Sequence, residues 1–169
     1  MNLPPPARKT FLVIHVATSV GWLGAVLAYL ALDITTATGS GVATVRGAYV
    51  GMDLLVRYAI VPLALASVLI GIVNALGTPW GLMRHYWVLV KLVLTLIAAA
   101  VLLAETATVA ALADAAVASP DPRQLASTLP HSVGGLVVLT TTLVLSVFKP
   151  RGLTRYGWRK RRRPDGVKV

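Results

Sequence analysis

Residues 11–32 read FLVIHVATSVGWLGAVLAYLAL. The stretch holds no Asp, Glu, Lys or Arg. As a helix it is long enough to cross the ~30 Å hydrocarbon layer of a bilayer. Its polar members are not scattered. His15, Ser19, Trp22, Tyr29 and, just beyond, Asp33 follow one another at steps of four, three, seven and four, which places them on one helical face. Acyl chains offer such groups no partner, so that face must turn toward other protein. A first membrane helix with one face in need of partners predicts a bundle rather than a lone anchor.

Three further segments qualify as spans, at about 54–76, 86–103 and 131–148. The predicted fold class is therefore all-α, an integral membrane four-helix bundle in up-down-up-down order. One transmembrane domain occupies 1–152, and 153–169 form a basic tail. Residues 33–53, rich in Gly, Thr and Ala, read as a linker, and 77–85 as a short turn. The Ala-rich run after residue 103 carries the third helix beyond the bilayer to about 118, where SPDP stops it. Gly21 with Ala25, Gly24 with Ala28 and the pair Gly134–Gly135 predict close backbone approach. Pro62 deprives the Tyr58 carbonyl of its helical donor and predicts a kink in the second span. The leading MNLPPPARKT, followed by so long an apolar run, reads as a retained segment and not a cleaved signal peptide.

The chain carries 16 Lys and Arg against 6 Asp and Glu, a net charge of +10. Nine of the sixteen fall in residues 149–169, KPRGLTRYGWRKRRRPDGVKV. Such a run after a hydrophobic helix suits the anionic inner leaflet, where each basic residue near the surface is worth ~1 kcal/mol. The predicted partners are the bilayer and its anionic inner-leaflet lipids, not nucleic acid. With the N-terminus inside, thirteen basic residues lie on the inner side and only Arg46, Arg57 and Arg123 on the outer. The positive-inside rule then predicts a multi-pass protein of the cell membrane with both termini cytoplasmic. Asp33, Asp53, Glu105, Asp114 and Asp121 gather at the outer end, and Trp80, Trp87 and Trp158 at the inner interface. Cysteine is absent, which excludes disulfides, thiolate metal sites and Cys nucleophiles.

The third span carries a second stripe, Trp87, Lys91, Thr95, Ala98, Leu102 and Glu105. Lys91 either snorkels to the headgroups or is a buried ammonium paired with an anion. Asp53 and Arg57, one turn apart, read as a mainly structural ion pair. Asn74 can bridge helices, and Thr140, Thr141, Thr142 and Ser146 can bond their own i−4 carbonyls. At 1.5 Å per residue His15 and His131 stand ~20 Å apart along the membrane normal, so they cannot share one metal. His85, at the inner boundary, is nearer in depth to His15. The inner half thus offers His15, Trp22, His85 and Lys91, a set suited to a porphyrin. The outer end offers His131, Asp33, Asp53, Arg57 and Glu105, suited to a cation or a proton.

Several of these stretches carry a family resemblance. HVATSVGWLG in the first span, MDLLVRYAIVP and LIG in the second, YWVLVKLVLTL in the third and VFKPRG after the fourth are similar to the small membrane proteins related to the copper-resistance D domain and to the haem-containing J-type protoporphyrinogen oxidase. The resemblance covers about residues 11–152. It implies a four-helix membrane fold with b-type haem, His15 as axial ligand to the haem iron, and Arg57 and Lys91 as polar site positions. Where the oxidase type has an acidic residue before its last helix, this chain reads TLPHSVGG. Met1, Met52 and Met83 are scattered rather than clustered for copper.

Three functions follow as expectations. One is a haem- or porphyrin-binding membrane protein with a redox role, its cofactor contacts drawn from His15, Trp22, Arg57, His85 and Lys91. Another is a non-catalytic structural or accessory component, working with a partner membrane protein. The third is copper or cation handling through His131 and the outer acids. Whether the protein is an enzyme stays open at this level.

Overall fold

The computed structural model describes residues 4–77, 82–150 and 152–162. Four helices are long and apolar enough to cross a membrane: Pro5–Thr38, Val42–Gly77, Tyr86–Ala118 and Leu129–Phe148. A fifth, Arg155–Arg162, is short. Each long helix packs on its chain neighbours and the first also closes on the fourth, giving a ring in which first and third, and second and fourth, lie across the diagonal. Large apolar side chains such as Val13, Leu69, Val93, Val147 and Phe148 face outward, as lipid contact requires. The chain is a multi-pass integral membrane protein built as an all-α bundle. One end carries Arg8, Lys9, Arg84 and Lys149, and the other Asp33, Asp53, Glu105, Asp114 and Asp121. These are the basic and the acidic end.

Pro5 opens the first helix, where a missing N–H costs nothing. The 33–53 segment is not a linker. The first helix continues to Thr38, and the second starts at Val42. Within the helix Thr35 and Thr38 turn their hydroxyls onto the carbonyls of Ala31 and Ile34. Val45, Tyr49 and Met52 repeat at helical spacing and are buried. Composition suggested a loop; the apolar face they form packs on the third helix and decides for helix.

The second helix contains one π turn, Val56–Ile60, in which the Val61 N–H reaches the Val56 carbonyl. It sits immediately before Pro62, so the break expected there takes the form of a widened turn. Gly24, Gly134 and Gly135 do not bring backbones together, since a Cβ at any of them would meet no atom within 4 Å. Of the glycines expected to do so, Gly21 alone has a neighbour, with the Leu63 methyls 3.4 Å from such a Cβ.

The fourth helix has 20 residues against 34, 36 and 33 for the others. Its N-terminus therefore lies below the ends of its neighbours, inside the ring. Asp33, fully buried, meets it there. The carboxylate accepts from Thr128 N at 3.3 Å, Thr128 Oγ1 at 2.9 Å, Ser132 Oγ at 2.8 Å and Ser127 Oγ at 3.4 Å, and Tyr29 Oη is 2.8 Å from Thr128 Oγ1. A side chain of the first helix thus holds the start of the fourth and places negative charge at its positive dipole end, while the N–H groups of Leu129 and His131 go to Ser127 Oγ and the Thr128 carbonyl.

Above this level the three longer helices carry a small cap of their own. Arg46 donates to the carbonyls of Ala116 and Ser119, closing the C-terminus of the third helix. Tyr49 donates to the carbonyls of Leu125 and Ala126. In the loop, Arg123 donates side-chain and backbone N–H groups to Asp121, which holds that carboxyl down to about 2. The clasp is present above the ordinary carboxylate range and opens only as pH falls through about 2. At the basic end, Thr154 donates its backbone N–H to Arg84 O, and His85 bridges Leu153, docking the short helix on the connection before the third. Trp158 there is exposed, while Trp80 lies outside the described residues.

Removing the buried cap should loosen the ring. Asp33→Ala leaves the Thr128 N–H and hydroxyl without their acceptor and is expected to cost about 3 kcal/mol in unfolding of the detergent-solubilised protein. Asp33→Asn should cost less, and a loss below ~0.5 kcal/mol for Asp33→Ala would show that the cap is dispensable.

Candidate functional site

The bundle holds two chambers stacked along its axis, each open in part at one side. The one nearer the basic end is about 90 Å³ and polar, with His15, Ser19, Ser67, Lys91, Thr95, Thr142 and Ser146 in its wall. The other is about 300 Å³, between all four helices in the acidic half. Its wall is apolar, with Val26, Val56, Ile60, Leu102, Val109 and Val138, and with Glu105, His131 and Ser132 at one end. Trp22 and Leu139 line both chambers. Trp22 is 3% exposed, and its indole is the partition.

The helical repeat builds the polar chamber. His15, Ser19 and Trp22 come from the stripe on the first helix. The second helix answers with Ser67, Gly71 and Asn74 at steps of four and three. Ser19 Oγ and Ser67 Oγ are 2.8 Å apart, and Asn74 Nδ2 donates to Phe11 O at 2.9 Å. A Cβ on Gly71 would lie 2.9 Å from His15 Cε1, so glycine is what lets the imidazole lie against the second helix. Opposite, Lys91 donates to Ser146 Oγ and stands 5.7 Å from the Trp87 ring centre, a cation–π contact. Lys91 turns inward to the fourth helix. The His15 Nδ1 atom is buried and has no hydrogen-bond partner, which leaves it a polar group awaiting one.

The structure brings His15, Trp22 and Lys91 to one chamber and leaves the other expected positions elsewhere. His85 caps the third helix, its ring 6.4 Å from that of Trp87, and does not line the chamber. Arg57 pairs with Asp53 at 2.8 Å on an exposed side of the second helix and lines neither chamber. The outer cluster divides three ways. Asp33 is taken up by the cap, Asp53 by Arg57, and His131 Nε2 faces Glu105 Oε1 at 3.6 Å. Among the described residues no group of three His, Asp or Glu gathers that could hold a metal ion. Met52 is buried in the core and Met83 is exposed.

The space beside His15 is smaller than the ~150 Å³ cavity that takes a single benzene. With the helices so packed, a porphyrin does not fit there. The larger chamber offers His131 rather than His15. Ser67 is marked in the sequence only by its step of four to Gly71 and of three from there to Asn74.

Gly71→Ala should push the imidazole out of its seat and lower stability by ~1–3 kcal/mol. In the double variant with His15→Ala most of that loss should vanish. An equal loss in both backgrounds, read from chemical unfolding, would separate Gly71 from His15. Comparison with known protein families, with curated proteins and with solved structures finds no match.

Proposed function

We propose that this membrane protein binds a small lipid-soluble molecule with an apolar body and one hydroxyl group, a phenol or short branched alcohol, in the 300 Å³ chamber. One observation carries the reading: an apolar space at membrane depth with Glu105, His131 and Ser132 gathered at one end. Its volume is about twice that of a benzene-sized cavity and at the lower limit of sites for small organic ligands, ~300–1,000 Å³. Glu105 accepts a hydroxyl proton and His131 stands beside it. The exposed members of the lining, Ile97, Val101, Pro130, His131 and Gly134, all belong to the third and fourth helices. The way in is therefore lateral, from the bilayer. Gly134 and Gly135 keep that side of the chamber clear, because a side chain at either would have only empty space to enter.

The test uses a brominated phenol and the fluorescence of Trp22 in the partition. Purified protein should show saturable quenching. Gly135→Leu places its Cβ where no atom lies within 4 Å, carries side-chain volume into the chamber, raises helix propensity by up to ~1 kcal/mol and should abolish saturation while the fold is kept. Glu105→Gln should weaken binding about tenfold, the worth of one hydrogen bond to a charged acceptor. Quenching that is linear, and the same in Gly135→Leu, reports only partition into detergent. It would favour a purely structural component working with other membrane proteins.

A second reading is haem at His15, as the family resemblance implies, with anionic lipid holding the tail. The unpartnered Nδ1 of His15 favours it, although the third and fourth helices would have to part to admit the macrocycle. It predicts a Soret band in protein purified with haemin supplied, lost in His15→Ala. A featureless spectrum in the wild type retires it.

A further inference from the structure

The polar chamber holds a charged donor, Lys91, whose N–H groups are not all taken up. Lys91 has three N–H groups, of which one is given to Ser146 Oγ. Thr95, Thr142 and Ser146 do not supply donors in return, because their protons go to the carbonyls of Lys91, Leu139 and Thr142 at 2.7, 2.8 and 2.8 Å. Ser19 and Ser67 share one bond, which leaves one hydroxyl proton. His15 adds a buried ring nitrogen without a partner. Two ammonium N–H groups, one hydroxyl and one imidazole therefore converge on about 90 Å³.

No described carboxylate balances this charge. Asp33, Asp53, Glu105, Asp114 and Asp121 are all at the acidic end, beyond the Trp22 partition, and Lys149 adds a second cation on the Lys91 side. A half-buried ammonium at membrane depth with only neutral neighbours is unfavourable. A small anion removes that cost. The space takes about three waters at ~30 Å³ each, or one small anion with a water.

We propose that this chamber is a site for a small monovalent anion, a halide or a short carboxylate such as formate, seated against Lys91 Nζ with the Ser19–Ser67 pair and His15 completing its shell. The site is separate from the apolar chamber and does not rest on what binds there. Larger anions are excluded by volume, and divalent ones by the single ammonium.

The full chain in detergent, in sodium gluconate at constant ionic strength, is titrated with sodium iodide while tryptophan fluorescence is followed. Trp22 lines the chamber and Trp87 lies beside Lys91, so occupancy quenches saturably, whereas exposed Trp158 gives a linear response. Chloride and formate should displace the iodide, and the stronger competitor identifies the occupant as halide or carboxylate. Lys91→Gln is expected to lose the saturable phase, with affinity down at least ~tenfold, and Lys91→Arg to keep it. If Lys91→Gln does not fold, Ser67→Ala, which removes one donor with little change in volume, should weaken iodide by ~3–10-fold. Linear quenching alone in the wild type, or saturation unchanged in Lys91→Gln or Ser67→Ala, means that the chamber holds water only and overturns the proposal.

Discussion

The carboxylate of Asp33 holds the ring together. A helix of 20 residues set among three of 33 to 36 needs its height fixed against them. Asp33 does so: it is buried, and the four hydrogen bonds that it receives from Ser127, Thr128 and Ser132 tie the start of the fourth helix to the first. That height sets which residues face one another lower down: Leu139 against Trp22, and Thr142 and Ser146 against His15 and Lys91 across the polar chamber.

The two chambers follow from one rule applied twice. In lipid no hydrophobic force drives helices together, so association rests on packing and on interhelical hydrogen bonds. Near the basic end the bonds between Ser19 and Ser67, Asn74 and Phe11, and Lys91 and Ser146 pair first helix with second and third with fourth. Between these pairs the walls stay apart and a polar space remains. In the acidic half the facing residues are aliphatic, and Gly134 and Gly135 withhold the side chains that would fill the gap. Trp22 is large enough to separate the two environments.

Beyond the lipid-facing length, the acidic end is organised by side-chain bonds to backbone. Arg46 and Tyr49 reach the third helix and the loop after it, and Val45, Tyr49 and Ala116 form a small separate core. The projecting helices are thereby joined to one another, and the loop is led back down to the buried start of the fourth helix.

The amino-acid sequence by itself determined the spans, the all-α bundle, the segregation of charge and the inward turn of the stripe from His15 to Asp33. Hydrophobic length and a period of 3.6 are local properties, written in consecutive residues. The same logic placed His15 and Trp22 in the interior and left Lys91 between the headgroups and the interior. It misjudged 33–53, where Gly and Thr suggested a loop, because burial of Val45, Tyr49 and Met52 against a distant helix outweighs weak local propensity. Tertiary structure alone decided that Asp33 holds the start of another helix, that Arg57 stays outside both chambers, that His85 and His15 do not share one, and that Gly134 and Gly135 open space instead of closing it. Each of these depends on the height and rotation of one helix against another, and those are fixed by contacts between residues far apart in the chain.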